Sequence, residues 1–443
     1  MASAAEQLAA NLNFGAFAKA EALKKRIWFT LGALLIYRLG TYIPIPGINL
    51  DALAAAFTAN QSGIIGMFNM FAGGAVGRMA IFALGVMPYI SASIIMQLMT
   101  SIIPTLDALK KEGESGRKVI NQYTRYGTVV LAAVQSYAIA VGLSGGNNIV
   151  VHPGLFFVFT TVVTLTGGTM FLMWLGEQIT ARGIGNGLSL IIFSGIVANL
   201  PHAITGTLEL GREGALSPIV ILAVGILAIG VVAFIVFVER AQRRLLIQYP
   251  KRQVGNRMFQ GEASHLPLKL NTSGVIPPIF ASSLLLVPVT IANFTAGAGP
   301  SWLGTITALL GNGQPLYMTL YAAMIIFFSF FYTAVVFSPA DTADNLKKHG
   351  GFIPGIRPGK NTADYIDYVL TRITVLGALY LVAVCLLPEI LINATGVPFV
   401  FGGTSLLIVV SVTLDTVAQV QGHLLAHQYE GLVRKSKLKG RTR

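Results

Sequence analysis

Apolar residues occur along this chain in ten long runs, with polar and charged residues concentrated between them. A run of about 20 apolar residues can cross the hydrocarbon core of a membrane as an α-helix. The sequence therefore predicts an all-α integral membrane protein. Its ten transmembrane helices are expected at about residues 27–43, 79–103, 126–143, 155–175, 188–204, 219–238, 274–296, 316–337, 375–392 and 404–420.

The ten predicted spans can be divided into two sets of five, and this number suggests how the chain is organised. A duplicated five-helix unit would insert its two copies in opposite orientations, as in many transporters. We find no residue-level repeat between the halves. The hypothesis of two inverted halves, residues 27–205 and 206–421, therefore rests only on the odd number of spans in each half. Residues 1–26 would precede the first half, and residues 422–443 would form a basic tail.

Basic residues alternate with the predicted spans. Of the 31 Lys and Arg residues, all but Arg38, Arg78 and Arg212 lie in the N-terminal segment, in alternate connections or in the tail. Connections rich in Lys and Arg remain cytoplasmic, so both termini are predicted to be cytoplasmic. Only 11% of the residues are charged, against about 25% in soluble proteins. Lipid is therefore expected to be part of the solvent of this chain.

Two cytoplasmic connections are long, at about residues 239–270 and 338–372, and together they hold 12 of the 31 Lys and Arg residues. Long, polar, turn-rich loops beside a membrane bundle often bind a partner. Their positive charge would suit anionic lipid headgroups, ribosomal RNA or an acidic protein. The alternative is a solvated connection whose charges only set the orientation of the spans.

One connection on the opposite side, residues 62–78, has the sequence SGIIGMFNMFAGGAVGR. It is too short and too rich in Gly to span the membrane, yet too apolar for a loop in water. Such a segment either re-enters a cavity lined by protein or lies as a helix on the membrane surface. The sequence alone leaves both interpretations open.

Catalytic and cofactor motifs are not apparent. GESGRK (113–118) lacks the spacing of a phosphate-binding loop, and no metal-ligand cluster or hydrolase motif is present, so we predict no enzyme, metal or cofactor. The spans carry almost no ionisable groups, whereas ion-coupled carriers place them near the middle of the membrane. This disfavours the rival hypothesis of a secondary transporter of small solutes and favours a passive conduit.

Several motifs, in order along nearly the whole chain, resemble the bacterial SecY family. They are PIPGI (44–48), MFNMFAGG (67–74), FALGVMPYISASIIMQ (82–97), KKEGESGRK (110–118), QYTRYG (122–127), GTMFLMWLGEQIT (168–180), RGIGNG (182–187), HLPLK (265–269), DNLKK (344–348), GIRPG (355–359) and FGGTSLLIVV (401–410). The resemblance implies ten helices in two inverted halves around a central pore. It also implies the channel subunit of the Sec translocon, which passes unfolded secretory proteins across the cytoplasmic membrane and releases transmembrane segments laterally into it.

The resemblance implies roles for residues lining this pore. Residues 62–78 would be the plug, with Ile64, Ile65, Met67, Phe68, Asn69, Met70 and Phe71 at its centre. The constriction ring would consist of Val86, Ile90, Leu188, Ile192, Ile279 and Ile408. Val86 and Leu188 depart from a ring made mainly of isoleucine, which puts its diameter in doubt. The lateral gate would include Gln97, Gln135 and Asn271.

Partners are implied as well. The motor ATPase SecA or the ribosome, including its RNA, would dock on Arg243, Arg244, Lys251, Arg252, Arg257, Lys347, Lys348 and Arg357. Asn256 stands where the family often has a second arginine, which implies a modestly weaker contact. SecE and SecG would complete a heterotrimer, and SecD/SecF and YidC are further candidates. An unfolded preprotein, its signal peptide and membrane lipids would be the ligands.

Overall fold

The computed structural model of this protein describes residues 21–59, 69, 72–144, 149–212, 217–250, 252–254, 257–259, 263–294, 314–395 and 403–439. These residues are mostly helical. The helices are α1 (Glu21–Gly40), α2 (Leu50–Ala59), α3 (Met87–Ile102), α4 (Pro104–Lys111), α5 (Glu114–Ser144), α6 (Leu155–Arg182), α7 (Gly187–Arg212), α8 (Pro218–Arg240), α9 (Ile276–Phe294), α10 (Pro315–Val336), α11 (Pro339–Lys348), α12 (Lys360–Thr395) and α13 (Gly403–Lys439). The strands are β1 (Gln242–Gln248), β2 (Arg252–Val254), β3 (Arg257–Phe259) and β4 (Ala263–Lys269).

Each of the ten predicted spans coincides with one of these helices. Within the described part of the chain, seven helices are long and apolar enough to cross a membrane, and α3 with α4 would make an eighth despite a bend of 99°. The bend lies at Ile103, whose backbone is extended (φ −94°, ψ 115°). Its cause is Pro104, because a proline disfavours helical conformation in the residue before it.

The second and third spans differ from the predicted boundaries. The second was expected from residue 79, but residues 79–86 form turns and the helix begins at Met87. Met79 and Gly85 both have positive φ, at 43° and 56°, which is incompatible with a continuous α-helix. The third was expected from residue 126, yet α5 already begins at Glu114. An apolar run marks only the part of a helix inside lipid, so it misses a polar extension.

The connection at residues 239–270 is a β-hairpin, which the sequence did not predict. β1 pairs antiparallel with β4, from Gln242 opposite Lys269 to Gln248 opposite Ala263, and β2 pairs with β3 at the far end. Leu245 on β1 is buried and alternates with exposed neighbours, as expected for a strand with one covered face. Leu245 belongs to an apolar cluster that consists of Leu245, Leu268, Ile353, Ile366, Val369 and Ile373.

Contacts within the chain define two units. One comprises residues 1–92, 122–204 and 408–443, and the other comprises residues 93–121 and 205–407. The core of the first unit includes a cluster of buried apolar residues: Ile45, Leu53, Met79, Ala83, Leu84, Ala132 and Leu165. In the second, α10 packs against α9 and α12.

Large apolar side chains are widely exposed on the spanning helices. Phe156 on α6 is 80% exposed, and Ile219 on α8 is 78% exposed. Water would penalise such surfaces, whereas lipid tails are as apolar as the side chains themselves. The exposed faces are therefore those of a multi-pass membrane protein in contact with lipid or with another membrane helix.

Candidate functional site

The described end of the predicted plug segment is enclosed by protein. Residues 72–79 form turns, and Ala72, Ala75 and Ala80 pack into a small buried cluster. Ala75 has no exposed surface, so this end of the segment does not lie on the membrane surface. Asn69 is also described. The other predicted plug residues lie outside the described residues: Ile64, Ile65, Met67, Phe68, Met70 and Phe71.

Asn69 closes the segment on itself. Its side-chain Oδ1 accepts a hydrogen bond from the Gly77 amide at 2.8 Å, and its carbonyl oxygen accepts one from the Gly74 amide at 2.7 Å. Between them, Gly73 and Gly74 have φ of 67° and 82°, a left-handed conformation that glycine adopts without steric cost. The sequence AGG therefore makes a tight reversal that Asn69 stabilises from both ends.

Two arginines bind the carbonyl oxygen of Gly73. Arg38, in the last turn of α1, donates from Nη1 at 2.6 Å, and Arg78 donates from Nη2 at 3.1 Å. Both guanidinium groups also lie over the ring of Tyr42, at 5.0 and 4.2 Å from its centroid. Hydrogen bonds with an ionised donor are roughly twice as strong as neutral ones. Burial lowers the pKa of Arg78, and the positive charge of Arg38 lowers it too, while Tyr42 raises it.

The predicted ring residues are placed on four helices and one turn. Val86 lies in the turn before α3, and Ile90 follows on the first turns of that helix. Leu188 and Ile192 lie on α7, Ile279 on α9 and Ile408 on α13. Val86, Ile192, Ile279 and Ile408 are buried, and Ile90 and Leu188 are half-buried. Ile279 belongs to the unit of residues 205–407, and the other five belong to the other unit. A shared ring remains a prediction.

The three predicted gate amides have different surroundings. Gln97 on α3 has a buried Oε1 for which no hydrogen-bond partner occurs among the described residues. Gln135 on α5 is half-buried. Asn271, by contrast, is only 4% exposed and its amide is fully engaged. Their gate role remains a prediction.

Asn271 joins the ends of two helices to the hairpin. Its Nδ2 donates to Oε1 of Glu239, near the end of α8, at 2.7 Å and to the carbonyl of Gly274, before α9, at 3.1 Å. Its Oδ1 accepts from the Ser273 hydroxyl at 3.0 Å. This buried network fixes the place where the chain leaves α8, makes the hairpin and re-enters α9. Sequence reasoning missed it, because Glu239 looked like one more charge at the edge of a span.

The two predicted docking loops pair with each other. Gln248, at the end of β1, donates to the Phe352 carbonyl at 2.9 Å and accepts from the Phe352 amide at 3.0 Å. The hairpin and the 338–372 connection thus share a backbone ladder as well as an apolar cluster. The alternation in QRRLLIQ was the only sequence signal, and it did not reveal the partner.

The basic residues predicted for docking are placed on this shared structure as far as it is described. Arg243 and Arg244 on β1 and Lys347 and Lys348 at the end of α11 are exposed. Arg357 is exposed too, between Gly355 and Gly359, which have φ of 83° and 107°. The backbones of Arg252 and Arg257 lie on β2 and β3, and Lys251 lies outside the described residues.

No cluster of three or more His, Cys, Asp or Glu side chains that could hold a metal ion occurs in the part of the chain that the structure describes. Its two ion pairs, Lys111–Asp107 and Arg125–Glu177, are exposed and link neighbouring helical turns or helices.

Comparison with known proteins gives a consistent result. A family model described as SecY matches residues 80–417. The protein translocase subunit SecY of Escherichia coli strain K12 is 58% identical over 422 residues, which cover 94% of this chain and 95% of that protein. The aligned region includes the loops as well as the spans, because it covers nearly the whole of both chains.

Two solved structures share the fold. One, reported as the structure of a protein conducting channel, has a TM-score of 0.65 and 17% identity and covers 90% of this chain and 92% of its own. The other, a SecY protein whose plug domain is reported to stabilise the closed state and maintain a membrane seal, has a TM-score of 0.60 and 19% identity with the same coverages. This likeness confirms the predicted all-α, ten-helix membrane fold.

Proposed function

The chain belongs to the SecY family, and on that premise we propose that it is the channel-forming subunit of a protein translocase. It would conduct unfolded secretory proteins across the cytoplasmic membrane and release transmembrane segments into the lipid. The observation that carries this proposal is the similarity to a translocase subunit along almost the whole chain. A separate observation supports it: an apolar segment between two spans has a buried, firmly held end, as a plug in a pore requires.

The pore itself would be closed by aliphatic side chains and by the plug. Val86, Ile90, Leu188, Ile192, Ile279 and Ile408 would form the constriction. Aliphatic groups bind no ion and let a narrow gap lose its water, so they can seal against small solutes while yielding to a passing chain. Gln97, Gln135 and Asn271 would line the lateral exit between the two inverted halves.

Energy for transport would come from partners, and we propose no reaction for the chain itself. The ladder between Gln248 and Phe352 supports a single docking platform, because it ties the two basic connections together. SecA or the ribosome would bind its exposed arginines and lysines, and SecE and SecG would accompany the chain in the membrane, with SecD/SecF and YidC as further partners. Both termini would then face the cytoplasm.

A stalled secretory protein tests the pore proposal. Photo-crosslinking residues would replace Ile90, Ile192 or Ile408 one at a time, and Phe156, an 80% exposed residue on α6, would serve as the lipid-facing control. We expect adducts with the stalled chain from the three ring positions and none from Phe156. Adducts at Phe156 alone, or at no position, would contradict a path through the ring.

A further inference from the structure

Arg38 and Arg78 occupy positions that the charge pattern of this chain otherwise avoids. With Arg212 they are the only basic residues on, or within a span approaching, the side opposite the basic connections. Positive charge on that side opposes the preferred orientation of the spans. Their side chains converge on one acceptor, the carbonyl oxygen of Gly73, at 2.6 and 3.1 Å.

Further contacts hold the two guanidinium groups in place. Arg78 also donates from Nε to the Thr41 carbonyl at 3.2 Å, and Arg38 donates from Nη2 to the Tyr42 hydroxyl at 3.0 Å. Neither arginine forms an ion pair with any residue that the structure describes. The two cations share one backbone acceptor, and that acceptor belongs to the plug segment.

Gly73 is also closely packed against two helices, α7 and α1. A Cβ atom at this residue would lie 3.1 Å from the Cα atom of Gly195 on α7 and 3.1 Å from the hydroxyl of Tyr37 on α1. The plug segment therefore touches the backbone of one helix while its carbonyl faces the two arginines. With Asn69 closing the reversal, the segment is attached at this end, where its own side chains from Ala72 to Val76 are small and apolar.

From this geometry we propose that Arg38 and Arg78 form a latch on the Gly73 carbonyl that holds the plug segment in the channel. The proposal rests on the proposed function. The latch fastens the C-terminal end of the segment to the end of α1, so movement of the plug out of the pore requires these two hydrogen bonds to break or the segment to pivot about Gly73 and Gly74. Either arginine alone keeps the carbonyl bound, so the two act redundantly.

Ion conductance in planar bilayers tests the latch, with the full-length chain purified together with its associated membrane subunits. We expect Arg38→Ala and Arg78→Ala each to raise the resting conductance a little, and the double variant to raise it by on the order of tenfold, since losing a charge-assisted hydrogen bond shifts an equilibrium by about that factor. Arg212→Ala is the matched control, because it removes an arginine predicted for the same side that donates none of the hydrogen bonds to Gly73. Equal conductance in the double variant and in Arg212→Ala would overturn the latch.

A plug deletion separates the latch from a general effect on the pore. In a chain lacking residues 64–71, which leaks by itself if the proposed plug is right, the double arginine variant should add no further conductance. A further increase in that background would show that the arginines act on the pore and not through the plug. If the deletion itself leaves the conductance unchanged, the proposed plug fails, and the latch fails with it.

Lysine variants guard against misfolding. Arg38→Lys together with Arg78→Lys keeps the charge and one donor at each position but loses the planar fork that reaches two acceptors. We expect an intermediate conductance from this variant and an unchanged yield of assembled complex. A conductance equal to that of the double alanine variant would contradict the carbonyl as the target, because a lysine can still donate to it.

Discussion

Gln248 and Phe352 exchange two backbone hydrogen bonds, of 2.9 and 3.0 Å, and so connect two loops that are far apart in the sequence. The pair extends the edge of the β1–β4 hairpin to the segment after α11. Beside it, a Cβ on Gly351 would lie 3.1 Å from side-chain atoms of Ile247 and of Tyr249, so these two side chains pack closely against the Gly351 backbone. The two loops are therefore joined through their backbones.

Phe352→Pro should separate the two loops, because proline has no amide hydrogen to donate to the Gln248 carbonyl. We expect faster limited proteolysis between residues 239 and 270 and slower ATP-driven export into inverted vesicles. Phe352→Ala is the matched control, since it removes the side chain and keeps the backbone pair. Equal proteolysis of the two variants would mean that the ring of Phe352, and not the ladder, joins the loops.

Asn271→Leu should destabilise the protein. It removes an amide that donates to Glu239 and accepts from Ser273 in a buried site, and a lost buried hydrogen bond costs about 1–3 kcal/mol. Thermal unfolding in detergent measures the effect, and we expect a lower melting temperature. Thr272→Ala is the control, because its hydroxyl only donates to the Lys269 carbonyl at the surface.

The same variant distinguishes a structural role from a gating role for Asn271. A gate residue would change the export of proteins with defective signal peptides while leaving thermal stability as it was. Should Asn271→Leu relax the choice of signal peptide without lowering the melting temperature, the junction described above is not its main role.

Gly168→Ala and Gly167→Ala form a natural pair on α6. A Cβ at Gly168 would overlap the carbonyl oxygen of Ile81, whereas a Cβ at Gly167 meets no atom within 4 Å. Overpacking usually costs about 1–3 kcal/mol, and alanine in an open helical position gains up to about 1 kcal/mol over glycine. We expect only Gly168→Ala to lower the melting temperature. Similar losses in both variants would contradict the close approach of α6 to residue 81.

Arg357→Glu should impair motor-driven export several-fold while the membrane complex still assembles, because Arg357 is an exposed charge on the proposed docking surface. ATP-dependent uptake of a secretory protein by vesicles measures this. Thr362→Val is the control: its hydroxyl donates to the Arg357 carbonyl at 2.9 Å, so its loss perturbs the turn and keeps the charge. Normal export with Arg357→Glu, or an equal defect with Thr362→Val, would remove Arg357 from the role of docking charge.

The runs of apolar residues predicted the membrane-spanning helices, because helix formation depends on residues that are close together in the sequence. A helix pairs its own backbone N–H and C=O groups, and lipid offers them no partners, so an apolar run inside lipid favours a helix. The run from residue 155 to 175 accordingly lies within α6. Its ends were less predictable: α5 begins twelve residues before its apolar run, because a helix can continue into water wherever its polar residues allow.

The hairpin shows why the connections were harder. Strand pairing depends on which distant segment supplies the partner. Neither the sequence of β1 nor that of the segment at Phe352 has a pattern that identifies the other as its partner. The resemblance indicated the docking residues one by one, but it did not indicate that their two loops pair through Gln248 and Phe352. The placement of Asn271 has the same cause, since its partner Glu239 lies 32 residues earlier in the chain.

The sequence by itself determined ten spans and an apolar segment too short to cross the membrane, and its basic residues predicted an orientation. It also marked Arg38 and Arg78 as exceptions to the charge pattern, without a reason. Only the tertiary structure supplied that reason, because a guanidinium group has many possible acceptors along a chain and only folding brings the Gly73 carbonyl within reach of both. Topology follows from the cost of putting polar groups in lipid, whereas a specific hydrogen bond follows from where two distant segments come to lie.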